Sequence, residues 1–154
     1  MSPAPALGAL QPPIAAEAAP FWEGARRGEL WVQRCAETGR LFFPPRPTSP
    51  FAPRVPPEWA RVSGLATVWS WCVPHPPLLP PFDVLSPYAV LLVALDEDPR
   101  VRLVGDWVAG PGAPLGPPPP DLAIGAPVRV VFERVSPELH LPRWAPRAGV
   151  GASR

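Results

Sequence analysis

Arg61–Val73 reads RVSGLATVWSWCV, and the reading of this stretch decides the fold. After Gly64 its residues are mostly β-branched or aromatic, which favours a pleated strand over a helix. Alternation places Thr67, Trp69, Trp71 and Val73 on one face, and Val68, Ser70 and Cys72 on the other. Gly64 reads as a bulge or bend inside one long strand. Downstream, Tyr88–Leu95 and Val101–Val108 form two strands across the turn Asp96-Glu97-Asp98-Pro99. Pro127–Val135 alternates again, with Val128, Val130 and Phe132 on one side, and Glu138–Trp144 is a last extended piece. About five strands with little helix predict a small closed or partly open barrel over residues 58–146.

Upstream of that stretch the pattern changes. Pro20–Gly28 carries a helix-starting proline and a terminating glycine, with Phe21, Trp22 and Ala25 on one side. Glu29–Cys35 alternates as a strand, Ala36–Gly39 reads as a turn, and Leu41–Phe43 is the return. Residues 44–57 hold seven prolines and no periodicity, as expected of an extended loop. Two further proline-rich loops, 74–87 and 109–120, separate the later strands. The chain thus divides into an N-terminal segment, 20–57, and the barrel, 58–146. Residues 1–19 and 147–154 are expected to be disordered tails.

Composition limits the chemistry. The 154 residues include 29 prolines, yet 47% are apolar and seven are tryptophan, enough for one core. All fourteen basic residues are arginine, so no Schiff-base or nucleophilic lysine exists. A net charge of +1 gives no general attraction to nucleic acid or anionic membrane. Two cysteines, Cys35 and Cys72, do not make a disulfide framework. No stretch has the length and hydropathy of a membrane span, and the start of the chain does not read as a signal peptide. The expected compartment is the cytoplasm.

No catalytic constellation stands out. Cys72 and His75 are close in sequence, and Cys35 and His140 complete the Cys and His inventory, but the spacing fixes no shared site. The acids of the 96–98 turn read as solvated turn formers. Gly110, Gly112 and Gly116 lie among prolines with no following helix, so they form no phosphate loop. The arginines Arg46, Arg61, Arg100, Arg102 and Arg129 could meet phosphate groups, with nothing to choose among them. Trp69 and Trp71 are read as barrel core or subunit contact in preference to a base-stacking or adenine-stacking pair.

The order of short motifs resembles the DUF35 family, whose members pair a rubredoxin-like zinc ribbon with an OB-fold. The matching pieces are Phe21-Trp22-Glu23-Gly24, Arg27-Gly28-Glu29-Leu30, Gln33-Arg34-Cys35 and Pro44-Pro45-Arg46. They continue with Val62-Ser63-Gly64, Ala66-Thr67-Val68, Pro87-Tyr88, Leu92–Glu97, Ile124–Val130 and Leu141-Pro142. The resemblance covers residues 20–146. It implies a mainly β chain: a short helix and ribbon hairpin, then a five-stranded OB barrel. It also implies partners of three kinds: thiolase-like enzymes, lipid-transfer-type aldolases, or MaoC-like enoyl-CoA hydratases in steroid or aromatic-acid degradation. The chain would be a non-catalytic accessory subunit beside an acyl-CoA site, with a CoA thioester shared with the partner. Phe21, Trp22, Trp31, Trp69 and Trp71 are the candidate partner contacts.

The sequence departs from the family at the metal. The two Cys-x-x-Cys pairs of the ribbon become Cys35 with Thr38, and Ser49 with Ala52. A structural zinc site needs four ligands, so no zinc is expected. Such a segment gives up about 10 kcal/mol of metal-linked folding energy and must be held by packing instead. The alternative function is a single-stranded nucleic-acid-binding OB module, which the near-neutral charge argues against.

Overall fold

The computed structural model describes residues 13–80 and 82–147. The tails expected at 1–19 and 147–154 lie outside the described residues, apart from 13–19 and Arg147. Ala16–Ala18 form a 3-10 turn that runs directly into helix α1, Ala19–Arg26, so ordered chain begins ahead of Pro20. Then come β1 (Leu30–Cys35), β2 (Leu41–Phe42), β3 (Pro57–Val62), β4 (Leu65–Cys72), the single-turn helix α2 (Phe82–Leu85), β5 (Val90–Leu95), β6 (Arg102–Asp106), β7 (Pro127–Arg134) and β8 (His140–Pro146). The α2 turn falls in a loop whose prolines hid it from a periodicity reading.

Two sheets divide the strands. The N-terminal sheet has the order β2-β1-β3, and the second has the order β6-β5-β4-β7-β8. The second sheet curls into a five-stranded OB-type half-barrel. Its outer strands β6 and β8 meet at one end only, through a parallel bridge between Trp107 and Trp144 and a 2.9 Å bond from the Val108 N–H to the Trp144 carbonyl. Across the same seam the buried Arg143 guanidinium reaches Asp106 on β6 and Glu133 on β7. Burial pulls Arg143 down to about 10, the direction expected when a cation loses water.

The stretch expected to be one long strand is two. It breaks at Ser63-Gly64, and its halves join different sheets. Residues 57–62 pair with β1 in register Leu30↔Val62 to Cys35↔Pro57, while 65–72 enter the barrel. Gly64 makes this possible in two ways. Its φ is +77°, and a Cβ there would lie 2.5 Å from Val130 Cγ1. The crossing is pinned by a 2.6 Å bond from the Ser63 N–H to Glu97 Oε1. β3 therefore belongs to the ribbon sheet, so residues 58–62 part company with the barrel strands they were grouped with.

A further irregularity sits inside β4. Val68 pairs with Val93 and Ser70 with Leu92, which leaves Trp69 as an extra residue. The expected face with Thr67, Trp69, Trp71 and Val73 is therefore corrected. Beyond the bulge, Trp71 registers with the buried Leu91, while Ser70 registers with Leu92 on the outer side.

The main core fills the barrel and extends into the N-terminal sheet. Phe21, Leu30, Val32 and Val62 join Val68, Leu91, Val93, Leu103, Val128 and Trp144 in one cluster. α1 packs close because Gly24 has no side chain: a Cβ there would sit 2.3 Å from the Trp31 ring. A second, smaller cluster of Cys35, Phe42 and Ala52 holds the far end of the ribbon.

Candidate docking surface and ribbon site

The large apolar side chains left exposed on the described strands lie on β4 and β6. Trp69 (47% exposed) and Val104 (62%) stand on the outer side with the exposed Cys72, and Trp71 (39%) is exposed at the strand end on the Leu91 side. The barrel-core reading of the two tryptophans is thus corrected: the buried face of β4 is that of Ala66 and Val68, so Trp69 lies on the opposite face, and the bulge turns Trp71, not Trp69, to the Leu91 side, where it stays part-exposed at the end of the strand. Arg102 on β6 stacks over the Trp69 ring at 3.6 Å, which holds the indole flat without covering it. Beside it lies a shallow cavity of about 230 Å³ lined by Ser70–Cys72, Val90–Leu92 and Val104. Large apolar side chains left in water at neighbouring positions are the usual mark of a surface that another molecule covers.

The other three candidate contacts are engaged within the chain. Phe21 is 5% exposed and lies in the main core, with its ring 5.4 Å from Phe43 and 4.9 Å from Trp22. It has no surface to offer a partner. Trp22 is half-buried against the same core. Trp31 lies on Gly24 and donates its indole N–H to Glu29 at 2.9 Å. Sequence alone could not separate these rings from Trp69, because all sit in short amphipathic segments.

The four ribbon positions do converge. Cys35 ends β1, Thr38 lies in the β1–β2 turn, and Ser49 and Ala52 lie in the loop before β3. Cys35, Ser49 and Ala52 are buried together. The Ser49 hydroxyl, then that of Thr38, hydrogen-bonds the Cys35 sulfur and pulls the thiol from 9.0 down to about 7, against the opposing effect of burial. The residues do not fit a zinc ion. One thiol, two neutral hydroxyls and a methyl group are not four tetrahedral ligands. Among the described residues no three His, Cys, Asp or Glu side chains are placed to hold a metal ion.

Of the other inspected groups, Cys72 and His75 are exposed and His140 is half-buried at the start of β8. Among the described residues no hydrogen bond or ion pair joins either histidine side chain to a carboxylate or thiol. The phosphate-contact arginines scatter. Arg102 lies on Trp69, and Arg46 is held through its backbone by Gln33. Arg129 lies on β7. Arg61 and Arg100 meet Arg34 and Arg40 in an open groove of about 420 Å³ between the β1–β2 and β5–β6 turns. Arg34, Arg61 and Arg100 are each paired there, with Glu58, Glu29 and Asp98. Grouping Arg34 and Arg40 with them required knowing that the two turns adjoin.

A helix, a three-stranded ribbon sheet and an OB-type half-barrel with exposed tryptophans define a ribbon-plus-OB module. The family description "ChsH2, rubredoxin-like zinc ribbon domain" matches residues 22–48, and "ChsH2, C-terminal OB-fold domain" matches 59–133. A solved chain from the "Ltp2-ChsH2(DUF35) aldolase" is 34% identical, with a TM-score of 0.73, over 88% of this chain and 98% of that one. The chain belongs to the DUF35 family. A DUF35 protein of unknown function from Sulfolobus solfataricus, 15% identical with a TM-score of 0.54, covers 76% of this chain and 78% of its own, and shares the fold.

Curated relatives are longer. The "3-oxo-4,17-pregnadiene-20-carboxyl-CoA hydratase alpha subunit" of Mycobacterium tuberculosis is 34% identical over 137 residues, which is 89% of this chain and 40% of that protein. A Thermomonospora curvata protein named "Probable enoyl-CoA hydratase alpha subunit" is 35% identical over 127 residues, 82% of this chain and 36% of that one. The chain thus spans about two fifths of the length of the curated relatives it matches.

Proposed function

We propose that this chain is a non-catalytic accessory subunit of an acyl-CoA-processing complex. Its partner is a thiolase-like enzyme, a lipid-transfer-type aldolase or a MaoC-like hydratase, and the acyl-CoA is held beside it on the partner. The observation that carries this reading is the match to nearly the whole length of the DUF35 chain of the Ltp2-ChsH2 aldolase. The hydratase alpha subunits support the same substrate class. The exposed face around Trp69, Trp71 and Val104 is the surface we assign to the partner, since Phe21 and most of Trp31 are already enclosed.

The absence of an assembled nucleophile and base among the described residues supports a structural role, with turnover carried out by the partner's groups. Among the described residues no helix is long and apolar enough to cross a membrane.

Co-expression with the thiolase-like and hydratase-like proteins of its own source tests this. Co-elution with one of them is expected, and it should be abolished by Trp69→Glu with Val104→Glu while the fold, read by circular dichroism, is kept. A chain that stays alone beside every such protein overturns the reading. Turnover of an enoyl-CoA or acyl-CoA by the isolated chain overturns the non-catalytic part, and tight, salt-sensitive oligonucleotide binding would favour the nucleic-acid alternative.

A further inference from the structure

We propose that the ribbon end folds without any metal. A hydrogen-bonded joint at Cys35, Thr38 and Ser49 stands where a zinc ribbon holds its ion, and the surrounding frame keeps the shape to take zinc if sulfur is restored. The inference does not depend on the partner.

The frame is visible in the spacing and the convergence. Residues 35 and 38 flank one turn, residues 49 and 52 flank another, and the two turns face each other. Ala52 packs with Cys35 in one buried cluster, and its N–H donates to the buried Ser49 hydroxyl, which ties the second turn to the first. Cys35 is fully buried and Ser49 is 1% exposed, while Thr38 covers them from the solvent side.

The joint is also chemically complete. The Ser49 hydroxyl oxygen accepts the N–H of Phe51 at 3.2 Å and of Ala52 at 3.3 Å. Thr38 Oγ1 accepts the Arg40 N–H at 3.4 Å. Thirteen residues apart, Gln33 and Arg46 exchange two bonds, Gln33 Nε2 to the Arg46 carbonyl at 2.9 Å and the Arg46 N–H to Gln33 Oε1 at 2.7 Å. These staple the proline-rich loop to β1. Phe42 and Phe51 meet edge to face at 6.1 Å, and the Arg40 guanidinium covers Phe51 at 3.7 Å.

A ribbon that had only lost its ion would leave buried polar atoms pointing at nothing. Among the described residues, the buried side-chain nitrogen and oxygen atoms without a partner are Trp144 Nε1 and Arg147 Nε, on and just after β8. None lies at the ribbon. Serine and threonine hydroxyls do not ionise as thiols do, so they bond one another's neighbours in preference to binding zinc.

Three measurements test the proposal. Protein purified with added zinc should carry far less than one zinc per chain by elemental analysis, and its melting temperature should not move with EDTA. One zinc per chain, or an EDTA-dependent melt, overturns it. Thr38→Cys, Ser49→Cys and Ala52→Cys combined should bind one Co²⁺, with a thiolate-to-cobalt charge-transfer band and tetrahedral d–d absorption. A folded triple variant without that spectrum overturns the retained frame. Ser49→Ala should speed hydrogen exchange in β1, β2 and the 49–52 turn while metal content stays unchanged. Unaltered exchange there overturns the joint.

Discussion

The two ends of β1 are held by different physics. Leu30 and Val32 enter the large core shared with the barrel, where Trp144, Leu91, Leu95 and Leu103 are almost fully buried. Three residues on, Cys35 enters a small cluster with Phe42 and Ala52, flanked by Phe51 and Val55 and beside the buried polar residues Gln33 and Ser49. The barrel rests on many interchangeable apolar contacts, each modest and together large. The ribbon end has too little apolar area for that and relies on a few directed bonds from side chain to backbone. Redundancy protects the first region; the second fails wherever one bond is removed.

The largest blow to that contrast comes from the barrel. Trp144→Ala should cost about 3–5 kcal/mol, because it empties the best-buried site of the core. Since the core is continuous with β1 and α1, barrel and ribbon should melt together, as denaturation followed at both ends would report. A ribbon that outlasted the barrel would show the regions to be independent.

Gln33→Ala should cost less, about 1–3 kcal/mol, by leaving the Arg46 N–H and carbonyl without their partner. Its effect should stay local. Hydrogen exchange should rise across 33–55 while the barrel strands keep their protection. Equal loosening of β5 and β7 would erase the distinction between the two regions.

The smallest effect is expected at the crossing between the sheets. Burial pushes the Glu97 carboxyl up, but the hydrogen bonds from the Ser63 N–H, the Ser63 hydroxyl and its own backbone N–H together outweigh it, so the carboxyl sits below the ordinary value of 4.5. A depressed carboxylate stabilises the fold above its unfolded value and loses that contribution as pH falls through the folded one. Glu97→Gln should therefore cost about 1 kcal/mol at pH 7. The gap between variant and parent should close as pH falls below 4.5. A gap that persists in acid would mean that Glu97 acts by shape alone.

Much of this was legible beforehand, for identifiable reasons. The strands around Val90–Leu95 and Pro127–Arg134 announce themselves through period-two alternation, which depends only on local backbone geometry. The ring candidates were harder. Phe21 and Trp69 look alike as sequence, but one is in the core and the other is in solvent. What separates them is which face of β4 meets the core, with Ala66 and Val68 buried and Trp69 opposite them, and a glycine that lets α1 close on Trp31. The arginine groove was hidden because its members come from turns 60 residues apart that adjoin only after folding.

The sequence by itself determined the β character, the family resemblance and the loss of three sulfur ligands, since each is a property of residue type and local spacing. Only the tertiary structure decided that Arg61–Val73 splits between two sheets, that Trp69 faces outward, and that Ser49 and Thr38 close on Cys35. Those outcomes turn on one glycine's close approach to Val130, which face of β4 meets the core, and the meeting of two turns. Each is a relation between distant parts of the chain, and no local pattern encodes it.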